Sequence, residues 1–231
     1  MSSSSALIGA VVFDLDGVLV DSEQLWDRAR RDLVAAHGGV WRDGATTAMQ
    51  GMSSPEWAAY LHDTLGVDLA AAEIVDRVVD DLLDRYRSDL PLLPGAVAAV
   101  RRIGRRWPLV LASSSNRVVI DTVLDVAGLD DAFAATVSSE EVPRGKPEPD
   151  VYEEAARRID VPPRRCVAVE DSTSGIRAAA AAGLGVIAVP NRSYPPLQDA
   201  LDDAALVLHH LDELTVEAVE RAGGRSRSSR R

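Results

Sequence analysis

The sequence predicts an α/β fold: a parallel sheet covered by helices on both faces, with one helical bundle inserted after the first strand. Two observations support this prediction. From Pro91 onward, short apolar runs alternate with segments of helical spacing, and that alternation is typical of a parallel sheet. Between Ser22 and Leu90 no segment alternates like a strand, while apolar residues recur at helical intervals.

Five apolar runs are predicted as strands because they are short, rich in β-branched residues and followed by polar or turn residues. The first of them contains no polar residue, as expected for a central strand that is covered on both faces. The predicted strands cover residues 10–13, 109–112, 134–137, 166–169 and 186–189. The helices predicted between the later strands cover residues 94–106, 116–128, 151–159 and 172–183.

The insertion is predicted to contain three helices. The first is capped by Asp21 or Ser22 and ends before the breaker residue Gly38. The second covers residues 55–65, and the third covers residues 71–86 with a broad apolar stripe. The expected domains are a core formed by residues 6–21 and 91–222, a helical domain of residues 22–90, and disordered ends at residues 1–5 and 223–231.

Composition and charge restrict the possible partners. The chain has 231 residues, of which 46% are hydrophobic, so it can fill a sizeable core. Its formal net charge of -11 argues against a nucleic-acid partner, whose phosphates need a basic face. Five arginines and no acidic residue lie in the last eleven residues, which we expect to be a solvated end.

The compartment is predicted from what the sequence contains at its start and along its length. No basic residue precedes the first apolar stretch, and no run reaches the roughly 18 apolar residues of a membrane span. Cys166 is the only cysteine, so an intrachain disulfide and a four-thiolate zinc site are excluded. We therefore expect a soluble cytoplasmic protein without a membrane partner, whose oligomeric state the sequence does not decide.

Four loops that follow predicted strands carry polar residues of unusual chemistry. Asp14 and Asp16 follow the first strand, serines follow the second at residues 113–115, Lys146 follows the third, and two acids follow the fourth at residues 170–171. Each loop also has a plain structural explanation, since serine and lysine are common in turns and acids often cap helices. In an open parallel sheet, however, ligands bind beyond the carboxyl ends of the strands, so all four loops are expected to meet there.

Together these loops supply hard oxygen ligands, hydroxyl groups and one fixed cation, which are the groups that a transferring phosphoryl group needs. Magnesium fits better than zinc because no histidine or cysteine accompanies the acids. The four histidines are remote from these loops, which speaks against a phosphohistidine or a Ser-His mechanism. They are His37, His62, His209 and His210. Neither a phosphate-binding glycine loop nor a dinucleotide glycine fingerprint is present.

At these residues the sequence resembles the haloacid dehalogenase-like hydrolase superfamily, and within it the β-phosphoglucomutase-like and sugar-phosphate phosphatase group with a helical cap. The resemblance covers residues 11–190. Its motifs are Asp14-Leu15-Asp16-Gly17-Val18, Ser113, Lys146-Pro147, and Glu170-Asp171-Ser172 followed by Ser174-Gly175-Ile176. The resemblance implies a Rossmann-like core and makes residues 22–90 a mobile cap.

The resemblance also implies a role for each motif residue. Asp14 is the implied nucleophile, which forms an aspartyl phosphate, and Asp16 is the implied general acid and then base. The residues implied to bind the phosphoryl oxygens are Ser113, Ser114 and Lys146. The implied ligands of Mg²⁺ are Asp14, the main-chain carbonyl of Asp16, Asp171, and Glu170 either directly or through water.

The predicted function is therefore Mg²⁺-dependent hydrolysis of a small phosphorylated metabolite, in particular a sugar phosphate. A sugar-phosphate mutase is the alternative, but similar mutases carry a histidine after the first motif and an arginine in the cap, where this chain has Trp26 and Ser54. A non-catalytic binding module is the second alternative, and it would lack a catalytic group. Trp26 and Trp57 are expected to fill the cap core rather than to contact substrate.

Overall fold

The computed structural model describes residues 8–49, 52–191 and 194–225, and it confirms the predicted α/β fold. Among these residues, six strands form one parallel sheet in the order β3-β2-β1-β4-β5-β6. They are β1 (Ala10–Phe13), β2 (Leu109–Ser113), β3 (Ala135–Ser138), β4 (Cys166–Glu170), β5 (Gly185–Ala188) and β6 (Leu206–Val207). The five predicted strands lie within one residue of their expected bounds, and the two-residue edge strand β6 was not predicted.

Helices separate and follow these strands. They are α1 (Glu23–Ala36), α2 (Ala45–Ala48), α3 (Ser54–Ala59), α4 (Ala71–Ser88), α5 (Ala96–Gly104), α6 (Arg117–Ala127), α7 (Asp150–Arg158), α8 (Thr173–Ala181), α9 (Gln198–Leu201) and α10 (Val216–Arg225). The turn of π-helix Tyr60–Thr64 continues α3, and together they cover the segment predicted as one helix. No helix in the described part of the chain is long and apolar enough to cross a bilayer.

Two boundaries differ from the prediction for identifiable reasons. Helix α5 begins at Ala96 rather than Pro94, because Gly95 adopts a left-handed conformation with φ 81° that cannot belong to the helix. Helix α10 continues to Arg225, so residues 223–225 are helical and were wrongly expected to be disordered. The remainder of that tail, residues 226–231, and the other end, residues 1–5, lie outside the described residues.

The sheet is buried on both faces by two separate hydrophobic clusters. In β1, Val11 and Phe13 belong to the first cluster, whereas Ala10 and Val12 belong to the second, because successive side chains of a strand point to opposite faces. The first cluster contains residues of α5, α6 and α10, and the second contains residues of α7 and α8. Helices therefore cover both faces, as the apolar strand sequences indicated.

The insertion between β1 and β2 packs around its own apolar side chains. Helix α4 contacts α1 and α3, and it also contacts α6 of the sheet region. Its buried positions include Ile74, Val78 and Leu82, which lie on the predicted stripe. The insertion thus contacts the sheet region at α6, and its buried side chains belong to the first hydrophobic cluster.

Candidate active site

Lys146 lies at the centre of the candidate site, where it contacts groups from three neighbouring strands. Its Nζ atom donates to Asp14 Oδ1 at 2.7 Å, to Glu170 Oε1 at 2.6 Å and to the main-chain carbonyl of Ala112 at 3.1 Å. Asp14 follows β1, Ala112 belongs to β2 and Glu170 ends β4. Because these strands are adjacent and parallel, their carboxyl ends meet at one edge, as the sequence predicted.

Asp14, Glu170 and Asp171 form a buried cluster of carboxylates, with one oxygen of each lying within 4.8 Å of the others. Burial raises the pKa of Asp14 to about 8, although the Lys146 charge opposes this shift. Burial, together with the charges of Glu170 and Asp14, also raises the pKa of Asp171 well above its usual range. One lysine does not balance three buried carboxylates, so the cluster has the charge and the oxygen donors that suit a divalent cation.

Two glycines let the main chain approach these carboxylates. Gly17 has φ 79°, and a Cβ atom at this position would overlap the Asp171 carboxylate. A Cβ atom on Gly175, in the first turn of α8, would overlap the carboxylate of Glu170. The glycines of the first and last motifs therefore have a steric role at the site.

Both carboxylate oxygens of Glu170 are occupied by hydrogen bonds. Oε1 accepts from Lys146 and from the hydroxyl of Tyr152 at 2.7 Å. Oε2 accepts from the main-chain N–H groups of Asp171 and Ser172 and from the Ser172 hydroxyl. Burial alone would raise the pKa of Glu170, but Lys146 and these donors lower it. Glu170 therefore stays ionised and fixes the position of the Lys146 ammonium group.

The Asp16 carboxylate lies apart from the acidic cluster and has its own set of donors. Oδ1 accepts from the Ser22 hydroxyl at 2.5 Å and lies 3.4 Å from Trp26 Nε1. Oδ2 accepts from the Ser115 hydroxyl at 2.6 Å and lies 3.5 Å from Ser113 Oγ. Asp14 and Asp16 are close in sequence, yet one carboxylate faces Lys146 and the other faces serine hydroxyls.

Ser22 and Ser115 are site residues that the sequence analysis did not assign. Ser22 precedes α1 as expected of a cap, but its side chain makes no capping hydrogen bond and donates to Asp16 instead. Its position directly after the first motif was the available signal. Ser115 was grouped with its neighbours in a serine-rich loop, where sequence alone does not show which hydroxyl faces the site.

The serines that were predicted to bind phosphoryl oxygens have different positions. Ser113 is fully buried, and its Oγ accepts from the main-chain N–H of Ser115 at 3.0 Å. Ser114 is half-buried and lines the cavity beside the cluster. Ser114 is therefore accessible from the cavity, whereas Ser113 supports the loop beneath it.

A cavity of about 510 Å³ lies between the acidic edge of the sheet and the helical insertion. On the sheet side its lining residues are Asp14, Asp16, Ser114, Ser115, Lys146 and Asp171. On the insertion side they include Glu23, Trp26, Arg30, Met49, Met52 and Trp57. Both tryptophans are also buried in the first hydrophobic cluster, so the expectation that they fill the core describes only part of their environment.

Ser54 links the insertion to the sheet region. Its hydroxyl, at the start of α3, donates to Asn116 Oδ1 at 2.8 Å in a buried hydrogen bond. The Asn116 amide in turn donates to Glu140 at 2.6 Å. The position at which similar mutases carry an arginine is thus occupied by a side chain that bonds to the protein itself.

Comparison with known proteins agrees with this arrangement. The model of the haloacid dehalogenase-like hydrolase family matches residues 8–183. Hexitol phosphatase B of Escherichia coli (strain K12) is 37% identical over 206 residues, which cover 81% of this chain and 86% of the relative. Fructose-1-phosphate phosphatase YqaB of the same strain is 32% identical over 185 residues, which cover 78% of this chain and 95% of the relative.

Among solved structures, CbbY from Rhodobacter sphaeroides in complex with phosphate has a TM-score of 0.83 and 27% sequence identity. The alignment covers 93% of this chain and 100% of the CbbY chain. The same four motifs that converge at the sheet edge lie inside the region matched by the family model. The chain therefore belongs to the haloacid dehalogenase-like hydrolases.

Proposed function

We propose that this protein is a Mg²⁺-dependent phosphatase that hydrolyses small phosphorylated metabolites, in particular sugar or sugar-alcohol phosphates. The observation that carries the proposal is the placement of two carboxylates at one cavity: Asp14 bonded to Lys146, and Asp16 surrounded by hydroxyl groups. The names of the relatives, a hexitol phosphatase and a fructose-1-phosphate phosphatase, support the substrate class. The net charge of -11 supports a free small substrate, and the cytoplasm is the compartment that we propose.

The acidic cluster fits a divalent cation. Its donors are carboxylate oxygens alone, which suit Mg²⁺, and its negative charge exceeds that of Lys146. Asp14 and Asp171 are the proposed carboxylate ligands, and the main-chain carbonyl of Asp16 is a further proposed ligand. Glu170 contributes charge while its oxygens remain bonded to protein donors. When bound, Mg²⁺ would screen the negative charge between Asp14 and the phosphoryl group.

Asp14 is the proposed nucleophile. Its carboxylate oxygen forms a bond to phosphorus while the bond from phosphorus to the ester oxygen breaks, which gives an aspartyl phosphate and a free alcohol. Lys146 holds one oxygen of Asp14 at 2.7 Å and so fixes the direction in which the carboxylate faces. Water then attacks phosphorus, the bond to Asp14 breaks, and inorganic phosphate leaves.

Asp16 is the proposed general acid in the first step and general base in the second. It gives its proton to the departing ester oxygen and later takes a proton from the attacking water. Ser22 and Ser115 suit both steps because a hydroxyl group can rotate between donating and accepting as the carboxyl group gains or loses a proton. Asp16 can therefore change its protonation state without leaving a buried hydrogen-bonding group unpaired.

Hydrolysis is favoured over mutase chemistry by Ser54. A mutase must hold a second phosphate on the cap side of the cavity, and a cation is the usual means of doing so. Ser54, where similar mutases place that cation, is instead bonded to Asn116. We therefore propose that the aspartyl phosphate is resolved by water rather than by transfer to a second hydroxyl group of a sugar phosphate.

Release of inorganic phosphate from a panel of sugar and sugar-alcohol phosphates, measured with and without Mg²⁺, tests this proposal. We expect Asp14→Asn to abolish turnover, and a chelator to abolish it in the unmodified protein. Asp84→Asn, at an exposed position of α4, serves as the matched control and should retain full activity. Turnover by Asp14→Asn would exclude Asp14 as the nucleophile. Turnover after complete removal of divalent metal would exclude the proposed metal site.

A further inference from the structure

Arg30 is a half-buried cation that lines the cavity and that the proposed chemistry does not use. It projects from α1, with Cζ 5.0 Å from the ring centroid of Trp26 and 4.9 Å from that of Trp57. Its Nε atom is buried and has no hydrogen-bond acceptor among the described residues. A cation over the faces of aromatic rings is held by the ring quadrupoles, but the N–H groups at the edge of the guanidinium still require acceptors.

The other cations that line the cavity already have carboxylate partners. Lys146 is paired with Asp14 and Glu170, and Arg177 donates to Asp199 at 2.6 Å. Burial lowers the pKa of Arg30 to about 10, against the opposing effect of nearby carboxylates, so the guanidinium is still charged at neutral pH. Among the cavity-lining residues that the structure describes, Arg30 is therefore the cation whose N–H groups are best placed to donate to a ligand.

Trp26 contacts both Arg30 and Asp16, the proposed general acid. One edge of its indole ring carries Nε1, which lies 3.4 Å from Asp16, while its face carries the Arg30 guanidinium. The ester oxygen that leaves phosphorus must be at Asp16 to receive a proton. The organic part of the substrate, which begins at that oxygen, therefore has Arg30 within its reach on the insertion side of the cavity.

The charge around Arg30 indicates what kind of group it binds. Glu23 lines the same cavity, and the carboxylates of Glu23, Asp27 and Asp16 all act on the guanidinium. A second phosphate would have to approach these acids, which repel it. A hydroxyl group can accept from Arg30 and donate to Glu23 at the same time, so a neutral polyol satisfies both residues.

We propose that Arg30 is a specificity-determining residue, whose N–H groups donate to hydroxyl oxygens of a neutral polyol chain in the leaving group, and that the acids beside it disfavour substrates with a second phosphate. This inference rests on the proposed phosphatase function. It concerns the end of the substrate remote from the phosphoryl group and assigns the recognition of that end to α1.

The unmodified enzyme, loaded with Mg²⁺, provides the first test. Three substrates of equal chain length are compared by kcat/KM: glucitol 6-phosphate, n-hexyl phosphate, which lacks the hydroxyl groups, and glucitol 1,6-bisphosphate. We expect glucitol 6-phosphate to exceed each of the others by about 10-fold or more, since one charge-assisted hydrogen bond accounts for a factor of that size. Equal values for the first two substrates, or a preference for the bisphosphate, would overturn the inference.

Arg30→Met provides the second test. The preference for glucitol 6-phosphate over n-hexyl phosphate should fall by about 10- to 100-fold, because the variant keeps an apolar stem against the rings but loses the donors. Arg106→Met is the matched control: Arg106 lies 5.5 Å from the Trp107 ring centroid, just before β2 and away from the cavity. This control should leave the preference unchanged.

The outcomes separate the two proposals. If no phosphate monoester is hydrolysed with Mg²⁺, the proposed phosphatase function is wrong. If monoesters are hydrolysed but Arg30→Met leaves the preference intact, only the role of Arg30 is wrong. If Arg30→Met does not fold, Arg30→Gln, which removes the charge but keeps a polar side chain, replaces it, and the same fall in preference is expected.

Discussion

Asp16 shows how much of the candidate chemistry depends on single hydroxyl groups. Its carboxylate is held by Ser22 on one side and Ser115 on the other. These serines come from different segments, one before α1 and one after β2, so they fix Asp16 between the insertion and the sheet. In the proposed role of proton donor, a carboxyl group held in this way would meet the departing oxygen without a search through rotamers.

At this scale we predict that Ser115→Ala lowers kcat by about 10-fold, the effect of losing one hydrogen bond to a charged group, while KM changes less. The reason is that Ser115 contacts the proposed acid and base, whose orientation affects the chemical step. Steady-state kinetics with a sugar-alcohol phosphate measures both constants. Ser88→Ala, at the exposed end of α4, is the control. An unchanged kcat in Ser115→Ala would show that this hydroxyl does not position Asp16.

The sequence predicted the charged site residues more completely than the uncharged ones. Asp14, Lys146, Glu170 and Asp171 were identified because their charges are unusual beside apolar strands, and the fold brings them together. A serine is equally common in caps, turns and sites, so Ser115 had no distinguishing feature. Its role depends on a loop conformation that the sequence does not specify.

At the scale of elements, helix α8 is positioned by its first turn. Ser172 caps it by accepting from the main-chain N–H of Gly175, while Gly175 lies against the Glu170 carboxylate. The cap and the close contact place the start of α8 directly beside β4. The residues of the last motif therefore position both the start of α8 and the Glu170 carboxylate of the acidic cluster.

We predict that Gly175→Ala lowers the free energy of unfolding by about 1–3 kcal/mol, because the added methyl group would overlap a fixed carboxylate. Urea denaturation followed by circular dichroism measures this change. Gly224→Ala, in α10, is the matched control: apart from the adjacent residues and the helix backbone, no described atom lies within 4 Å of its added Cβ, so the substitution should be neutral or should stabilise by about 1 kcal/mol. Equal effects of the two substitutions would refute the steric explanation.

Elements were predictable where periodicity extended over several residues. Helix α4 and strands β1, β2 and β4 have long or strongly apolar patterns, and their bounds were found within two residues. Strand β6 has two residues, one half-buried and one exposed, so no periodic signal exists. Its place in the sheet comes from parallel pairing with β5, which is a tertiary effect.

For the molecule as a whole, the acidic cluster links the proposed metal binding to the free energy of unfolding. Three buried carboxylates repel one another, and their repulsion is present in the folded state but relieved on unfolding. A ligand that binds only the folded protein stabilises it by about 1.4 kcal/mol for each tenfold excess over its dissociation constant. Metal binding should therefore be visible in stability as well as in activity.

We predict that Mg²⁺ raises the Tm of the protein relative to a chelator, and that Asp171→Asn reduces this gain while raising the Tm in chelator. The variant loses a proposed ligand, but it also removes a buried acid whose ionisation is unfavourable in the folded state. Differential scanning calorimetry measures both effects, with Asp84→Asn as the control. A Mg²⁺ response of equal size in Asp171→Asn would contradict the assignment of this residue to the metal.

The overall arrangement of sheet and insertion was predictable because each has its own periodicity. What the sequence did not reveal is which insertion residues meet across the cavity. Arg30, Trp26 and Trp57 converge through the packing of α1 on α4 and of α4 on α3. Such convergence depends on interhelical geometry, which is decided by the packing of many side chains together.

Trp26 contacts residues at both ends of the cavity. The same indole ring lies at hydrogen-bonding range of the Asp16 carboxylate and beneath the Arg30 guanidinium. With the proposed roles of Asp16 and Arg30, a replacement of this ring would alter substrate choice and proton transfer together. Evolution could therefore not broaden the range of substrates through a change at this position without also changing the rate of catalysis.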